Sequence, residues 1–224
     1  MKILIAVLAT DKEPWDKLIK TIEETWGSIS LDNIKIIYYY GNPDKTSDLP
    51  ILEGNYLYSK YEETFENIGY KTIDMFKYAY ENYEFDFLLR TNASSYINQQ
   101  ALINFLSNKI PKNYAGGFIG KIPNKFNFLS GSGYVLSKDL VNFIIKNSEK
   151  WDHSLIDDVA LGQFLYEHTN IPLQFHPRID NNNKKRLRFN PNIFHFRCKC
   201  IDRNDDIIIM KSIHNILQNY NIHI

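Results

Sequence analysis

The fold is decided by the stretch EFDFLLRTNASSYIN, residues 84–98. Its apolar run, residues 85–89, predicts a buried strand, and the polar residues 90–95 that follow predict a turn. Apolar segments of strand length alternate with amphipathic segments on both sides of this stretch, which predicts an α/β fold with a mainly parallel central sheet flanked by helices. Open α/β sheets bind ligands beyond the carboxyl ends of their strands, so residues 90–95 are the first candidates for a site.

The composition narrows the class of protein. A chain of 224 residues fits one domain, and 44% hydrophobic residues are enough to build a core. Lys and Arg together number 26, as do Asp and Glu, so the formal net charge is zero. A balanced charge gives no reason to expect a nucleic acid or an anionic membrane as partner.

The periodicity predicts the following elements. Strands are expected at residues 3–9, 34–40, 85–89, 114–119, 133–136, 173–175 and 193–196. Helices are expected at residues 15–26, 61–82, 99–108, 138–147, 157–169 and 206–220. Residues 45–60 lack a clear period and are expected to be irregular.

No segment is apolar enough and long enough to span a membrane, and the run at residues 3–9 is better explained as a first strand than as a leader. Cys198 and Cys200 are too few for a disulfide framework and are interpreted as ordinary thiols, which suit a reducing compartment. The sequence therefore predicts a cytoplasmic protein.

The loops at the strand ends hold several polar groups. They include Ala9-Thr10 after the first strand, residues 90–95 after the third and Arg197 after the last. An alternative for Ser94 or Ser95 is to cap the helix that follows. The two interpretations are compatible, because a helix N-terminus also binds phosphate.

Four segments in order resemble the β-1,3-galactosyltransferase and Fringe superfamily. They are IEETWGS at 22–28, the long stretch from YEETFENIGYKT at 61 to YIN at 98, FLSGSGYVLSKDLV at 128–141 and IDDVALGQFL at 156–165. The resemblance covers residues 1 to about 200. It implies a single GT-A domain over residues 1–224, with a nucleotide-binding half at about 1–98, an acceptor and catalytic half at about 99–200 and a C-terminal helix at 206–220.

The resemblance also implies an activity. It is the transfer of a sugar from a UDP- or GDP-sugar to a hydroxyl of a glycan or protein acceptor, with inversion. Asp158 matches the residue expected to act as the base, and Asp157 stands where the family has Glu. From residue type alone, both could simply be acidic residues favoured at a helix N-terminus.

Further residues are carried over from the matching motifs. Gly131, Ser132 and Gly133 form a glycine turn that could approach a sugar closely, or simply a tight turn before a strand. Lys71 matches a Lys-Thr pair but could be solvated surface. His195 stands where such enzymes often have a late metal ligand, and Arg197 could face a phosphate.

The departure from the family lies in the opening stretch. The family holds Mn²⁺ or Mg²⁺ with Asp-x-Asp, and Asn92-Ala93-Ser94 stands there instead. Three outcomes are open. Arg90, Lys71 or Arg197 could neutralise the diphosphate without metal. A metal could bind weakly through diphosphate oxygens, Asp157 or His195. The protein could instead bind a nucleotide or carbohydrate without turnover. A separate hypothesis is an interaction scaffold that kept only the fold. The missing membrane anchor of Golgi-resident relatives suggests a viral or bacterial origin, in a host cytoplasm or virion if viral.

Overall fold

The computed structural model describes residues 1–221. The strands in chain order are β1 (Ile3–Leu8), β2 (Ile34–Gly41), β3 (Ile51–Glu53), β4 (Tyr56–Ser59), β5 (Phe87–Asn92), β6 (Ser95–Ile97), β7 (Ala115–Lys121), β8 (Asn127–Ser137), β9 (Leu173–Phe175), β10 (Ile179–Asn181) and β11 (His195–Cys198). The helices are α1 (Trp15–Glu24), α2 (Ile68–Asn82), α3 (Gln99–Leu106), α4 (Lys138–Lys146), α5 (Asp157–His168) and α6 (Asn204–Asn221).

The main sheet has eight strands in the order β3-β4-β2-β1-β5-β8-β7-β9. Four of its neighbouring pairs are parallel, namely β4 with β2, β2 with β1, β1 with β5, and β7 with β9. The other three pairs are antiparallel. The sheet is therefore mixed with parallel pairs in the majority, and helices flank it, as the alternation of segments predicts.

The core lies on both faces of this sheet because the central strand β1 is apolar at every position. In β1, Ile3, Ile5 and Val7 belong to the core cluster that includes residues of α1, α3 and α6. Leu4 and Ala6 belong to the other cluster, with residues of α2, α4 and α5. Successive side chains of a strand point to opposite faces, so a continuous apolar run is the pattern expected of a strand buried on both sides.

The structure has a second sheet of three strands, in the order β10-β11-β6. Strand β5 continues through Ala93 and Ser94 into β6, which pairs antiparallel with β11. Residues 195–203 are thereby brought next to the end of β5. No helix among residues 1–221 is both long and apolar enough to cross a membrane.

Several expected boundaries were wrong. Residues 45–50 form neither helix nor strand, as expected, but residues 51–59 are not irregular, because β3 and β4 pair there across Gly54, which has a positive φ. Helix α2 begins at Ile68 rather than at residue 61. The polar turn expected at residues 90–95 is reduced to two residues, because β5 extends to Asn92 and β6 begins at Ser95.

Two local interpretations also need correction. Neither Ser94 nor Ser95 caps α3, because β6 intervenes and the side chain of Asn98 accepts a hydrogen bond from the backbone N–H of Ala101. The glycine turn at residues 131–133 is part of the eleven-residue strand β8. The C-terminal helix expected at residues 206–220 is confirmed as α6, which begins two residues earlier.

Helix α5 lies against β8 at Gly162, and this contact sets where the helix N-terminus falls. A Cβ atom at Gly162 would lie 2.8 Å from Cα of Phe128, closer than packed atoms approach. The backbones can therefore meet only because residue 162 is glycine.

We predict that Gly162→Ala destabilises the protein. Overpacking against backbone costs about 1–3 kcal/mol, which exceeds the gain of about 1 kcal/mol from replacing a helical glycine by alanine. The midpoint of urea unfolding should fall. The neighbouring Gln163→Ala should leave that midpoint nearly unchanged, and an unchanged midpoint for Gly162→Ala would contradict the assigned packing.

Candidate active site

A cavity of about 680 Å³ opens at the carboxyl ends of β1 and β5. Its walls come from the end of β1, the start of α2, the end of β5, the middle of β8, the N-terminus of α5 and the segment after β11. Most of the expected site residues line it: Ala9, Thr10, Lys71, Arg90, Asn92, Ser94, Gly131, Ser132, Asp157, Asp158 and Arg197. Another cavity, of about 540 Å³, lies between the β7–β8 turn and the end of α5, and no Asp, Glu, His or Cys lines it.

Arg90 is the buried centre of the site, with a side chain 1% exposed. Its Nη2 donates to Oδ2 of Asp157 at 2.5 Å, and its Nε donates to the hydroxyl of Tyr39 at 2.9 Å. Its Nη1 donates to the carbonyl oxygen of Gly131. Although burial alone would lower it, the Asp157 carboxylate raises the pKa of the Arg90 guanidinium above its ordinary value.

A second buried ion pair lines the cavity beside the first. Lys71 is 2% exposed, and its Nζ donates to both carboxylate oxygens of Glu63 at 2.8 Å. Glu63 also accepts a hydrogen bond from the backbone N–H of Gly41. Burial lowers the pKa of Lys71, and the carboxylate of Glu63 opposes that shift. The alternative that Lys71 is solvated surface was therefore wrong.

Asp158 stands at the start of α5 and faces the cavity. Its Oδ2 accepts a hydrogen bond from the backbone N–H of Gly131 at 2.7 Å, and its Oδ1 accepts one from the N–H of Val159 at 2.9 Å. A Cβ atom at Gly131 would lie 3.1 Å from both Asp158 Oδ2 and Arg90 Nη1, so only glycine lets the two side chains converge on this strand without crowding. A carboxylate with two oxygens can accept about four hydrogen bonds, so Asp158 retains free acceptor sites.

Asn92 and Ser94, the residues expected from the resemblance to replace metal-binding carboxylates, are both already engaged in hydrogen bonds. The Oδ1 atom of Asn92 accepts a hydrogen bond from the N–H of Ser94 at 3.0 Å, and its Nδ2 donates to the carbonyl oxygen of Gly131 at 3.1 Å. The hydroxyl of Ser94 accepts a hydrogen bond from Nη2 of Arg203 at 2.5 Å. A guanidinium in contact with this hydroxyl is the wrong neighbour for a divalent cation.

The donor set as a whole does not fit the divalent metal that the resemblance implies. Such ions require several carboxylate, carbonyl or imidazole ligands around one point. Over residues 1–221 no group of three or more His, Cys, Asp or Glu side chains is placed to hold one. Asp157, one of the two expected substitutes, is committed to Arg90.

Three of the expected residues lie behind the cavity wall. His195 is 2% exposed, and its Nε2 lies 3.2 Å from the hydroxyl of Ser95. Burial lowers the pKa of His195 to about 3, so the ring is neutral at physiological pH. A Cβ atom at Gly133 would lie 2.8 Å from Cε1 of His195, so this glycine makes room for the buried ring rather than for a ligand.

Several cavity residues have no signal in the sequence that would single them out. They are Lys12 and Glu63 on one side and Lys199 and Arg203 on the other. The rim also carries exposed apolar side chains: Trp15, Phe65, Ile156 and Ile201. A buried ammonium requires a carboxylate partner, so the role of Glu63 follows only from the burial of Lys71, which the sequence does not show.

Asp157→Asn should strongly destabilise the protein, since it leaves the Arg90 guanidinium buried without a counter-charge. Breaking a buried pair in this way costs about 3–5 kcal/mol. Glu84→Gln is the matched control, because Glu84 pairs with Lys138 while 80% exposed and should change the free energy of unfolding by less than about 1 kcal/mol. Urea unfolding measures both variants, and similar effects would contradict the importance given to the Arg90–Asp157 pair.

The sequence of the chain is similar in part to known glycosyltransferases. A galactosyltransferase family model matches residues 20–125. The UDP-GalNAc:beta-1,3-N-acetylgalactosaminyltransferase 2 of Mus musculus is 30% identical over 118 residues, which cover 45% of this chain and 23% of that protein. The Homo sapiens protein of the same name is 29% identical over 118 residues. The chain spans about a quarter of the length of these curated relatives.

A solved structure extends the similarity to nearly the whole chain. It is a glycosyltransferase involved in the glycosylation of the major capsid of PBCV-1, with a TM-score of 0.60 and 11% identity, covering 95% of this chain and 100% of that one. The fold is that of the GT-A glycosyltransferases. The chain is therefore similar in sequence to galactosyltransferases over residues 20–125, and similar in fold to a solved glycosyltransferase over nearly its whole length.

Proposed function

We propose that the protein transfers a sugar from a nucleotide-sugar donor to an acceptor hydroxyl, with inversion at the anomeric carbon. The observation that carries the proposal is one cavity with a carboxylate, Asp158, in one wall and an excess of basic side chains in its lining. Glycosyl transfer needs both, because a proton leaves the acceptor while negative charge develops on the departing diphosphate.

The proposed step assigns the proton to Asp158. The acceptor oxygen attacks the anomeric carbon while Asp158 takes the hydroxyl proton through an acceptor site that its two backbone hydrogen bonds leave free. The bond from the anomeric carbon to the phosphate oxygen breaks on the opposite face, and its electron pair leaves with the nucleoside diphosphate. The same hydrogen bonds hold the carboxylate in place, which favours a base of fixed position.

The proposed binding arrangement follows the two halves of the chain. The end of β1 and residues 63–92 would receive the nucleotide, and the middle of β8 with the N-terminus of α5 would face the transferred sugar and the acceptor. Trp15 and Phe65 at the rim offer apolar faces for a base or sugar ring. The names of the relatives make UDP-GalNAc the first donor to test, with a glycan or protein as acceptor.

A second candidate is binding without turnover. It is favoured by the hydrogen bonds of Asp158 themselves, because a carboxylate that joins α5 to Gly131 has a structural use that requires no catalysis. The two candidates differ in one observable, the release of nucleotide from a donor sugar.

Asp158→Asn should lower turnover by about 10²–10⁴-fold, because the amide cannot accept the acceptor proton. Nucleotide binding should remain within a few-fold, about the effect of one peripheral hydrogen bond. The assay follows nucleotide release from a panel of UDP- and GDP-sugars with glycan and protein acceptors. Calorimetry measures binding of UDP and GDP.

Asp139→Asn is the matched control. Asp139 also lies in the first turn of a helix and accepts a backbone hydrogen bond, from Asn113, but it lies outside the cavity. It should retain full turnover. Undiminished activity of Asp158→Asn would refute the assignment of the base, and tight nucleotide binding without release from any donor would favour the second candidate.

A further inference from the structure

We infer that Arg203, together with Arg197, holds the diphosphate of the donor in place of a divalent metal, so that the site binds nucleoside diphosphates without metal. This inference rests on the proposed function and specifies how its leaving group is stabilised. It assigns the task to the segment after β11 rather than to the residues of the altered Asp-x-Asp position.

The balance of charges in the cavity points to that segment. Its basic lining residues are Lys12, Lys71, Arg90, Arg197, Lys199 and Arg203, and its acidic ones are Glu63, Asp157 and Asp158. Lys71 is paired with Glu63 and Arg90 with Asp157, both within buried ion pairs. The charges of Lys71 and Arg90 are therefore already neutralised within the protein. Arg203 has a carboxylate partner outside the lining, Asp206. The positive charge without an ion-pair partner among the described residues resides on Lys12, Arg197 and Lys199.

Arg203 contacts Ser94, the residue that the resemblance aligns with the second carboxylate of Asp-x-Asp. Its Nη2 donates to the hydroxyl of Ser94. Its Nη1 lies 2.9 Å from Oδ2 of Asp206, but the pair does not have hydrogen-bond geometry, and Nε has no hydrogen-bond partner among residues 1–221. The guanidinium is thus fixed in position between Ser94 and Asp206. Nε and Nη1 are buried, so the donor left for a ligand is the second N–H of Nη2.

Asp206 is the counter-charge of Arg203 within the fold. It is fully buried; burial raises its pKa, and the Arg203 guanidinium opposes that shift. Its other oxygen accepts a hydrogen bond from the backbone N–H of Cys200 at 2.7 Å. Asp206 therefore holds both the loop and the guanidinium at the start of α6, and the outer face of Arg203 remains directed to the cavity that it lines.

Arg197 adds a second guanidinium to the same wall. Burial lowers its pKa, and the neighbouring Arg178 contributes to that shift. Arginine nevertheless stays protonated in proteins. Among residues 1–221 its charge is not matched by an ion pair, whereas Arg178 is paired with Asp180 at 2.6 Å. An anion in the cavity would relieve the repulsion between Arg197 and its cationic neighbours.

The chemistry of the guanidinium suits the leaving group. Arginine donates two parallel hydrogen bonds to phosphate oxygens, and such charge-assisted bonds are about twice as strong as neutral ones. As the bond to the anomeric carbon breaks, the electron pair passes to the terminal phosphate oxygen, where these donors stabilise it. The proton of the acceptor goes to Asp158, so the step is balanced without a metal.

The test measures binding of UDP and GDP to the full chain by calorimetry, in EDTA and in Mn²⁺. At least one of the two nucleotides should bind in EDTA. Mn²⁺ should change its Kd by less than about threefold, which is a small difference in binding free energy. Binding that disappears in EDTA and returns with Mn²⁺ would overturn the inference while leaving the proposed function intact. Absence of binding under both conditions would contradict the proposed function and, with it, the inference.

Variants test whether Arg203 is a residue that holds the diphosphate. Arg203→Gln should weaken binding of the same nucleotide in EDTA by about 10- to 100-fold, the loss expected for charge-assisted hydrogen bonds. Arg186→Gln makes the same change at an exposed residue outside the cavity, and this variant should bind like the wild type. Arg203→Gln alone leaves the buried carboxylate of Asp206 without a counter-charge. The double variant Arg203→Gln with Asp206→Asn removes that carboxylate, so weak binding by the double variant is not explained by an unpaired buried charge. Wild-type affinity in the double variant would overturn the role of Arg203.

Discussion

The buried ion pair between Arg90 and Asp157 is the interaction on which the site depends. Through one guanidinium it joins strand β5 to the N-terminus of α5, to Tyr39 of β2 and to the carbonyl oxygen of Gly131 in β8. Gly131 in turn donates its N–H to Asp158, so the proposed base is positioned by the same set of contacts. Removal of either charge would leave the other unpaired in the interior, where the desolvation penalty is large.

This constraint also decides which charges are free to bind a ligand. Arg90 and Lys71 belong to the scaffold of the cavity, because each has its own carboxylate within the fold. The charges available to a diphosphate therefore come chiefly from the other end of the chain, where β11 pairs with β6 and brings residues 197–203 beside Ser94. Arg203 contacts the uncharged Ser94, so in the proposed arrangement its guanidinium supplies positive charge where the resembling family uses a metal.

The sequence predicts those parts of the structure that depend on local pattern. The continuous apolar run of β1 and the helical spacing in α1 and α2 are visible without coordinates, and the carboxyl ends of β1 and β5 indicate where a cavity should lie. The β3–β4 hairpin was missed because strands of three and four residues are too short to show a period. Glu63 and Arg203 were missed because their partners, Lys71 and Ser94, are chosen by tertiary contacts. The sequence likewise does not show that residue 133 must be small to make room for the buried ring of His195.

The central claim is that this cavity receives a nucleoside diphosphate on arginine rather than on metal. The most direct test is a crystal structure of the protein with UDP or GDP, grown with Mn²⁺ and measured at the manganese absorption edge. We expect the diphosphate to lie within hydrogen-bond distance of Arg203, with Asp158 on the far side of the diphosphate. We expect no anomalous peak between the phosphates and Asn92. A manganese peak at that position, or a nucleotide bound outside the cavity, would contradict it.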